Sequence, residues 1–356
     1  MKSFNLARLG RLAARAAMGY RSLESQAHRR WTICDGETTR VPPALYPQGS
    51  LDRITAFSPW VRPENEMRSL RGDRIEHAAT LAFEVHGVEI VDGLLYKGPC
   101  EHRSGYGEAR WFLGAGARRE SLDRAWVVST NGGCHYFGIW ARADLPTEEL
   151  PPGDERRLVM PNVGFAHEPG YRRLLASPGA TAVQWARVGA LMFLRDFGEN
   201  RSKEARYRAL RQRLRERVVS SRPSFGVYLK RGATGERRVI ANEAALDAFL
   251  GSRGFKVVEP AVLSPEQIAA QMLDARLVIS CEGSHLAHSI YTMADDATLL
   301  VLQPPERFSL AFKAFTDRLG MRFAFVVGRP SQEGFEVDLD ELAGFIDRIA
   351  CRRASS

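Results

Sequence analysis

Long apolar runs are missing: the two longest, near residues 188–194 and 297–303, fall well short of the ~20 residues a membrane-spanning helix needs. No segment is therefore expected to cross a bilayer. Cysteine is scarce as well. Cys34, Cys100, Cys134, Cys281 and Cys351 are odd in number and form no C-x-x-C pair, which argues against a zinc site or a disulfide framework. A secretory apolar region is also lacking, so a reducing cytoplasm is the expected compartment. Internal repeats and low-complexity tracts are absent. With 44% hydrophobic and 26% charged residues, disorder and collagen-like structure are excluded. A chain of 356 residues is long enough for two domains of about 150 residues each.

What is present is localised positive charge. The formal net charge of +8 is concentrated in two segments. Lys2, Arg8, Arg11, Arg15, Arg21, Arg29 and Arg30 face only Glu24, and Phe4, Leu6, Leu9, Leu12, Ala13 and Ala16 interleave with them. Residues 1–30 thus read as a basic amphipathic segment, in peripheral contact with the inner membrane. Arg-rich and nearly acid-free, this stretch also has transit-peptide character. The second cluster, Arg201 to Arg222, carries nine cations against Glu204 and Glu216. Leu210, Leu214, Val218 and Val219 give it an apolar stripe, so a solvated helix face over a buried stripe is the expected reading. Tyr207 is its one aromatic residue, too few for the stacking platforms of a nucleic-acid binder, and no nucleic-acid partner is expected.

Up to about residue 75 the prolines at 42, 43, 47, 59 and 63 predict irregular structure packed on something else. Residues 79–97 alternate apolar and polar, with turn signals at Gly87 and Asp92-Gly93, and predict a strand meander. Ala125–Thr130 reads as a short buried strand, 182–194 as a helix and 201–219 as the basic helix. From Ser224 strands at 225–230, 255–258, 276–280, 297–302 and 322–327 alternate with helices at 242–252, 264–273 and 284–292. This spacing is the βαβ signature of a parallel, doubly wound sheet and makes the second half a nucleotide-binding candidate. A final helix spans 338–351.

In open α/β sheets ligands bind where strands end and helices begin. Three such turns carry usable chemistry. After the strand ARLVIS, Gly283 would let a phosphate approach the backbone, Ser284, His285 and His288 could donate to its oxygens, and Glu282 could accept from a sugar hydroxyl. The plainer alternative makes Ser284 a helix cap and His288 a packing residue. At the second turn a strand ends in Lys230-Arg231-Gly232, followed by Arg237, Arg238 and Asn242-Glu243. Arg231 and Arg238 can fork a diphosphate, although loop arginines are commonly solvated. The third turn, Asn131-Gly132-Gly133, leads into a helix holding His135, Arg142 and Asp144. A carboxylate or imidazole there could take a proton from an acceptor hydroxyl, and the plainer alternative is an exposed Asp144 at a helix end before Pro146.

Taken in order, these segments resemble glycosyltransferase family 61, whose bacterial members are often described as capsular polysaccharide biosynthesis proteins. The likeness is densest from Val227 to Pro304: Arg231, then Arg238 with Asn242-Glu243, then Gly254-Phe255-Lys256-Val257-Val258-Glu259-Pro260, then Gln267, then Glu282-Gly283-Ser284. The chain departs from the usual Gly-His-Trp-acid motif at Ile139 and Ala143, while Asp144 remains and His135 lies one helical turn before Ile139.

The resemblance implies an α/β, GT-B-like fold, two Rossmann-like domains facing a cleft, with a C-terminal helix. The corresponding bounds are 1–30 for the basic segment, 31–222 for an acceptor-side domain, 223–335 for a nucleotide-sugar-binding domain and 336–356 for the helix. It further implies an inverting, metal-independent hexosyl- or pentosyltransferase that needs no cofactor. Such an enzyme would move a sugar from a nucleotide-sugar donor to a hydroxyl of a glycan acceptor in surface polysaccharide synthesis. Asp144, as general base on the acceptor hydroxyl, and His135 would be its catalytic groups. Arg231, Arg238, Asn242, Glu282, Gly283, Ser284, His285 and His288 would hold the donor. The alternative, suggested by Ile139 and Ala143, is a catalytically impaired sugar-nucleotide-binding or scaffold protein of a polysaccharide assembly complex.

Overall fold

In a computed structural model of the chain, residues 3–4, 13, 16–17, 19, 21–105, 112–113, 119–221, 226–232, 236 and 238–354 are described. They divide into two units, Met1–Glu37 with His77–Tyr207, and Thr38–Glu76 with Arg208–Ser356. The segment 38–76 and the final helix thus sit with the second unit. Leu6, Leu9 and Leu12, with Lys2, Arg8, Arg11 and Arg15, lie outside the described residues, as do Arg222, Phe225 and Arg237. Among the described residues no helix is long and apolar enough to cross a membrane.

Among its described residues the first unit has a nine-stranded mixed sheet. Strands Thr181–Ala182, Arg157–Val159, Glu120–Val127 and Trp185–Arg195 run parallel. The sheet then continues antiparallel through Thr80–Val91, Leu94–Lys97 and Cys100–Arg103. Asp92 (φ 47°) and Gly93 (φ 83°) both adopt the left-handed conformation that a two-residue hairpin turn requires, as the Asp-Gly pair predicts. Gly87, expected to turn the chain, instead lies inside one continuous strand. The end of the basic N-terminal segment is also strand: Arg29–Cys34 pairs antiparallel with Thr80–Val91.

The expected helix at 182–194 is a central strand, Trp185–Arg195. Its apolar residues change face along the way. Ala186 and Val188, then Leu191 and Phe193, pack in the same core, whereas Met192 and Leu194 join the cluster on the other face. The neighbouring strand does the same, with Phe83 and Val85, then Val88 and Ile90, in the main core. The switches fall at Gly189 and Gly87, which the register sets opposite each other between Val188↔Val88 and Ala190↔His86. A strand that switches face loses strict period-two alternation, and the resulting spacing mimics a helix.

Helix Arg201–Arg217 buries Leu210 and Leu214, with Val218 just beyond it, while Val219 is 87% exposed. Several of its cations are not solvated. Arg206 grips buried Asp196 through Nη1 at 2.9 Å and Nη2 at 3.0 Å, and Lys203 Nζ donates to the Asp196 carbonyl at 2.6 Å. In the second unit Arg211 donates to the carbonyls of Ile290 (2.7 Å) and Met293 (2.5 Å). Buried cations are stable only when paired or saturated with acceptors, and these are.

Among its described residues the second unit holds a sheet of five parallel strands, Gly226–Leu229, Lys256–Val258, Leu277–Cys281, Thr298–Gln303 and Arg322–Val327, in the spatial order second, first, third, fourth, fifth. Helices Glu243–Ser252, Pro265–Met272 and Lys313–Arg318 connect them. The helix expected at 284–292 is only a 3-10 turn, Ser284–Leu286, followed by Ala287–Ile290. Strands one, three and four are buried along their whole length, as a parallel sheet covered on both faces demands. The final helix, Leu339–Ala354, adds Leu342, Phe345, Ile346 and Ile349 to that core. The proline-rich segment covers the outer edge: Leu45 N–H donates to Phe323 and its carbonyl accepts from Phe325, both at 2.9 Å. It also contains a helix, Pro63–Arg71, where irregular structure was expected.

Candidate functional site

In the second unit the first and third strands are neighbours, and the chain leaves them toward opposite sides of the sheet. Such a switch point opens a crevice at the carboxyl ends of the strands, where α/β proteins hold their ligands. Arg231 follows the first strand, Glu282 to His285 follow the third, and Arg307 follows the fourth.

Arg231 is half-buried and fixed on three sides. Its Nη1 donates to the Glu282 carbonyl at 3.1 Å and lies 3.4 Å from His285 Nδ1, and its Nη2 donates to the Glu236 carbonyl at 2.5 Å. His285 Nε2 is 2.7 Å from Ser280 Oγ, whose hydroxyl donates to the Leu229 carbonyl at 2.6 Å. One proton arrangement satisfies the whole line: Nε2–H donates to Ser280, leaving the Nδ1 lone pair toward Arg231. Burial and the Arg231 cation hold His285 well below the usual histidine range, which keeps that lone pair in place. Gly283 (φ 150°) leaves open the space that Arg231 Nη1 fills, because a Cβ at that position would run into it. Burial, then the nearby Arg238 cation, lowers the pKa of Arg231 itself.

Arg238 and Arg307 complete the cluster. The Arg238 side chain is 7% exposed and sets Nε 2.6 Å from Glu282 Oε2, a close ion contact without the alignment of a hydrogen bond. Burial raises the pKa of Glu282, and Arg238 opposes the rise. Glu236 Oε2 lies 3.7 Å from Arg238 Nη2 and also touches Arg307 Nη2. Arg307 Nε is buried with no hydrogen-bond acceptor among the described residues. Arg238 and Arg307 thus converge on the carboxylates of Glu236 and Glu282, Arg231 binds the main-chain carbonyls of the same two residues, and Arg307 Nε is left without a hydrogen bond among the described residues. An arrangement of this kind costs free energy until an anion with several oxygens enters.

Glu236 acts as a built-in counter-anion. Glu236→Gln is expected to tighten pyrophosphate binding about 3- to 5-fold, the scale of an exposed ion pair, as measured by calorimetry.

The other expected donor residues are placed differently. Asn242 donates to the Val337 carbonyl (2.8 Å) and accepts from its N–H (3.0 Å), so its amide clamps the chain before the final helix. Lys230 is neutralised by Asp247 at 2.7 Å. Ser284 begins the short 3-10 turn, for which Gly283 occupies the cap position without a side-chain bond, and His288 is buried. Arg307 was missed in the sequence although it follows a strand end in Pro304-Pro305-Glu306-Arg307.

The third turn lies in the first unit. Thr130 caps a short helix, Asn131–His135, accepting from Gly133 N–H at 3.0 Å. Its hydroxyl donates to Asp144 Oδ1 at 2.7 Å and its N–H donates to Oδ2 at 3.1 Å. Asp144 closes the π-helical turn Trp140–Asp144 and is buried rather than exposed. A Cβ on Gly133 would overlap its carboxylate, so the glycine admits it. His135 Nδ1–H donates to the Asn131 carbonyl at 2.7 Å, which makes Nε2 the lone-pair nitrogen of the neutral ring. Asn131 is held in turn by the Gly105 carbonyl at 2.6 Å.

Burial pushes Asp144 up to about 8, against the lowering effect of its Thr130 hydrogen bonds. A carboxyl raised above its unfolded value stabilises the fold fully below that unfolded value. Its contribution is lost as pH rises through about 8. Asp144→Asn is therefore expected to flatten the fall in urea midpoint between about pH 4, the unfolded carboxyl value, and pH 8.

A family model described as Glycosyltransferase 61 matches residues 156–300. The matched stretch is less than half of the chain and contains Arg231, Arg238 and the 282–288 turn, whereas His135, Asp144 and Arg307 lie outside it. The curated proteins include no match. Over residues 156–300 the chain is similar to glycosyltransferase family 61, and that similarity implies a glycosyltransferase with a nucleotide-sugar donor and a glycan acceptor.

Proposed function

We propose that the chain is an inverting glycosyltransferase that carries a hexosyl or pentosyl group from a nucleotide sugar to a glycan hydroxyl, in the cytoplasm, during surface or capsular polysaccharide synthesis. The observation that carries this reading is the convergence of Arg231, Arg238 and Arg307 beside the switch point of the parallel sheet, with Arg307 Nε without a hydrogen bond among the described residues. As the acceptor oxygen bonds to the anomeric carbon, the bond from that carbon to the diphosphate oxygen breaks. The charge that develops on the diphosphate is stabilised by the guanidinium groups, already oriented before the reaction starts. His135 Nε2 takes the acceptor proton, and Asp144 keeps the turn beneath His135 in shape. Residues 1–30 are proposed to touch the membrane surface through their cations.

Three guanidinium groups supply the charge that a divalent cation would otherwise bring, so transfer is expected to persist in excess EDTA. The test is a panel of nucleotide sugars, following released nucleoside diphosphate and protection against thermal unfolding. Turnover of one donor with a glycan acceptor is the expected result.

A second reading keeps the binding and drops the transfer. It is favoured by Asp144, which commits both carboxylate oxygens to Thr130. Binding of nucleoside diphosphates without turnover of any donor would select it.

A further inference from the structure

We infer that Trp60 is the stacking platform for the nucleobase of the donor, an assignment that rests on reading the arginine cluster as the diphosphate site. Trp60 is 53% exposed and presents part of a large aromatic ring to solvent. Its position is nevertheless fixed. Thr55 N–H donates to the Pro305 carbonyl at 2.8 Å, Phe308 N–H to Ala56 at 2.9 Å, and Ser58 N–H to Phe308 at 3.0 Å. Phe57 packs edge-on against Phe308 at 5.7 Å. The segment carrying Trp60 is thus tied by backbone bonds to the loop that carries Arg307. The Arg307 guanidinium lies over the indole, 4.0 Å from the ring centroid.

That geometry puts an exposed aromatic plane one guanidinium away from the anion cluster, since the same Arg307 also touches Glu236. A nucleoside diphosphate has the matching layout: a planar base, a ribose, and then the charged oxygens. Indole and guanidinium faces both stack on bases, and neither depends on which base is present. A ligand with diphosphate alone would use the arginines and make no stacking contact with the indole.

The experiment compares binding of uridine, guanosine, cytidine and adenosine diphosphates with that of inorganic pyrophosphate, by calorimetry, to the full chain and its variants. Trp60→Ala should weaken the preferred nucleoside diphosphate about 10-fold, the scale of one lost base stack, and change pyrophosphate affinity less than about 2-fold. Trp60→Phe should recover most of the loss. Equal weakening of both ligands would overturn the assignment, because the indole would then serve only to hold Arg307. If Trp60→Ala changes neither ligand while Arg231→Ala removes both, the platform is rejected and the diphosphate site stands. If Arg231→Ala removes neither, the site and the platform both fall.

Discussion

Arg231→Ala is expected to abolish protection by nucleoside diphosphate in a thermal-shift titration, with affinity falling on the order of 100-fold or more, the usual cost of truncating one partner of a desolvated charge pair. Arg231 is the best-anchored of the three cations. It is tied to two carbonyls and a histidine lone pair, so little rotamer entropy is lost when a ligand arrives. Its deletion would also leave the Nδ1 of a neutral His285 without its donor, which loosens the turn around Gly283. Arg231→Lys should recover only part of the affinity, since an ammonium cannot reproduce the planar set of donors. Gly283→Ala should approach the alanine phenotype from the other side, because the new methyl group would occupy the Arg231 Nη1 position. Unchanged affinity in Arg231→Ala would remove the proposed diphosphate site altogether.

The same constellation sets an acid limit. While His285 is neutral it accepts toward Arg231, and protonation would turn that contact into repulsion between two cations. Since the pKa of His285 lies well below the usual range, diphosphate binding should hold through mildly acidic pH and fail only when the ring finally gains its proton.

The second unit was legible because its signals agree at every level. Parallel strands buried on both faces read as continuous apolar runs, and the helix Pro265–Met272 announces itself through Ser264 and Gln267, which form a reciprocal capping box. Arg231, Glu282 and Gly283 could be found from strand ends alone. Arg307 obeys the same rule and needed only the next strand end. Trp60 could not be found this way, because it reaches the site by tertiary pairing of an irregular segment with Phe308. The first unit was read less well for a local reason: Gly87 and Gly189 let two paired strands change face together, which breaks the periodicity on which strand recognition depends. Burial was the other hidden variable. Arg206, Arg211 and Asp144 stand in segments that look solvated, and only the fold shows that their acceptors and donors have already been supplied.

His135→Ala is the variant that should separate transfer from binding, with turnover expected to fall about 10²- to 10⁴-fold, the usual contribution of a positioned proton acceptor. The dissociation constant for nucleoside diphosphate should stay within about 2-fold, well below the tenfold change of 1.4 kcal/mol, since the cluster that holds it belongs to other residues. The ring is suited to the role by its supports: the Asn131 carbonyl fixes the tautomer, the Gly105 carbonyl fixes Asn131, and Asp144 fixes Thr130 at the head of the same short helix. Asp144→Asn removes the ionisable group and keeps one of the two oxygens that accept from Thr130, so its turnover should remain within about 10-fold of the parent, less than a direct proton acceptor supplies. The reverse ranking, with Asp144→Asn inactive and His135→Ala active, would transfer the proton-accepting role to a carboxyl whose pKa is pushed up to about 8, and turnover would then rise with pH up to that value as the carboxylate forms. Measuring kcat against pH for the parent and both variants distinguishes the two assignments, because an inflection near 8 that Asp144→Asn removes marks the buried carboxyl as the proton acceptor.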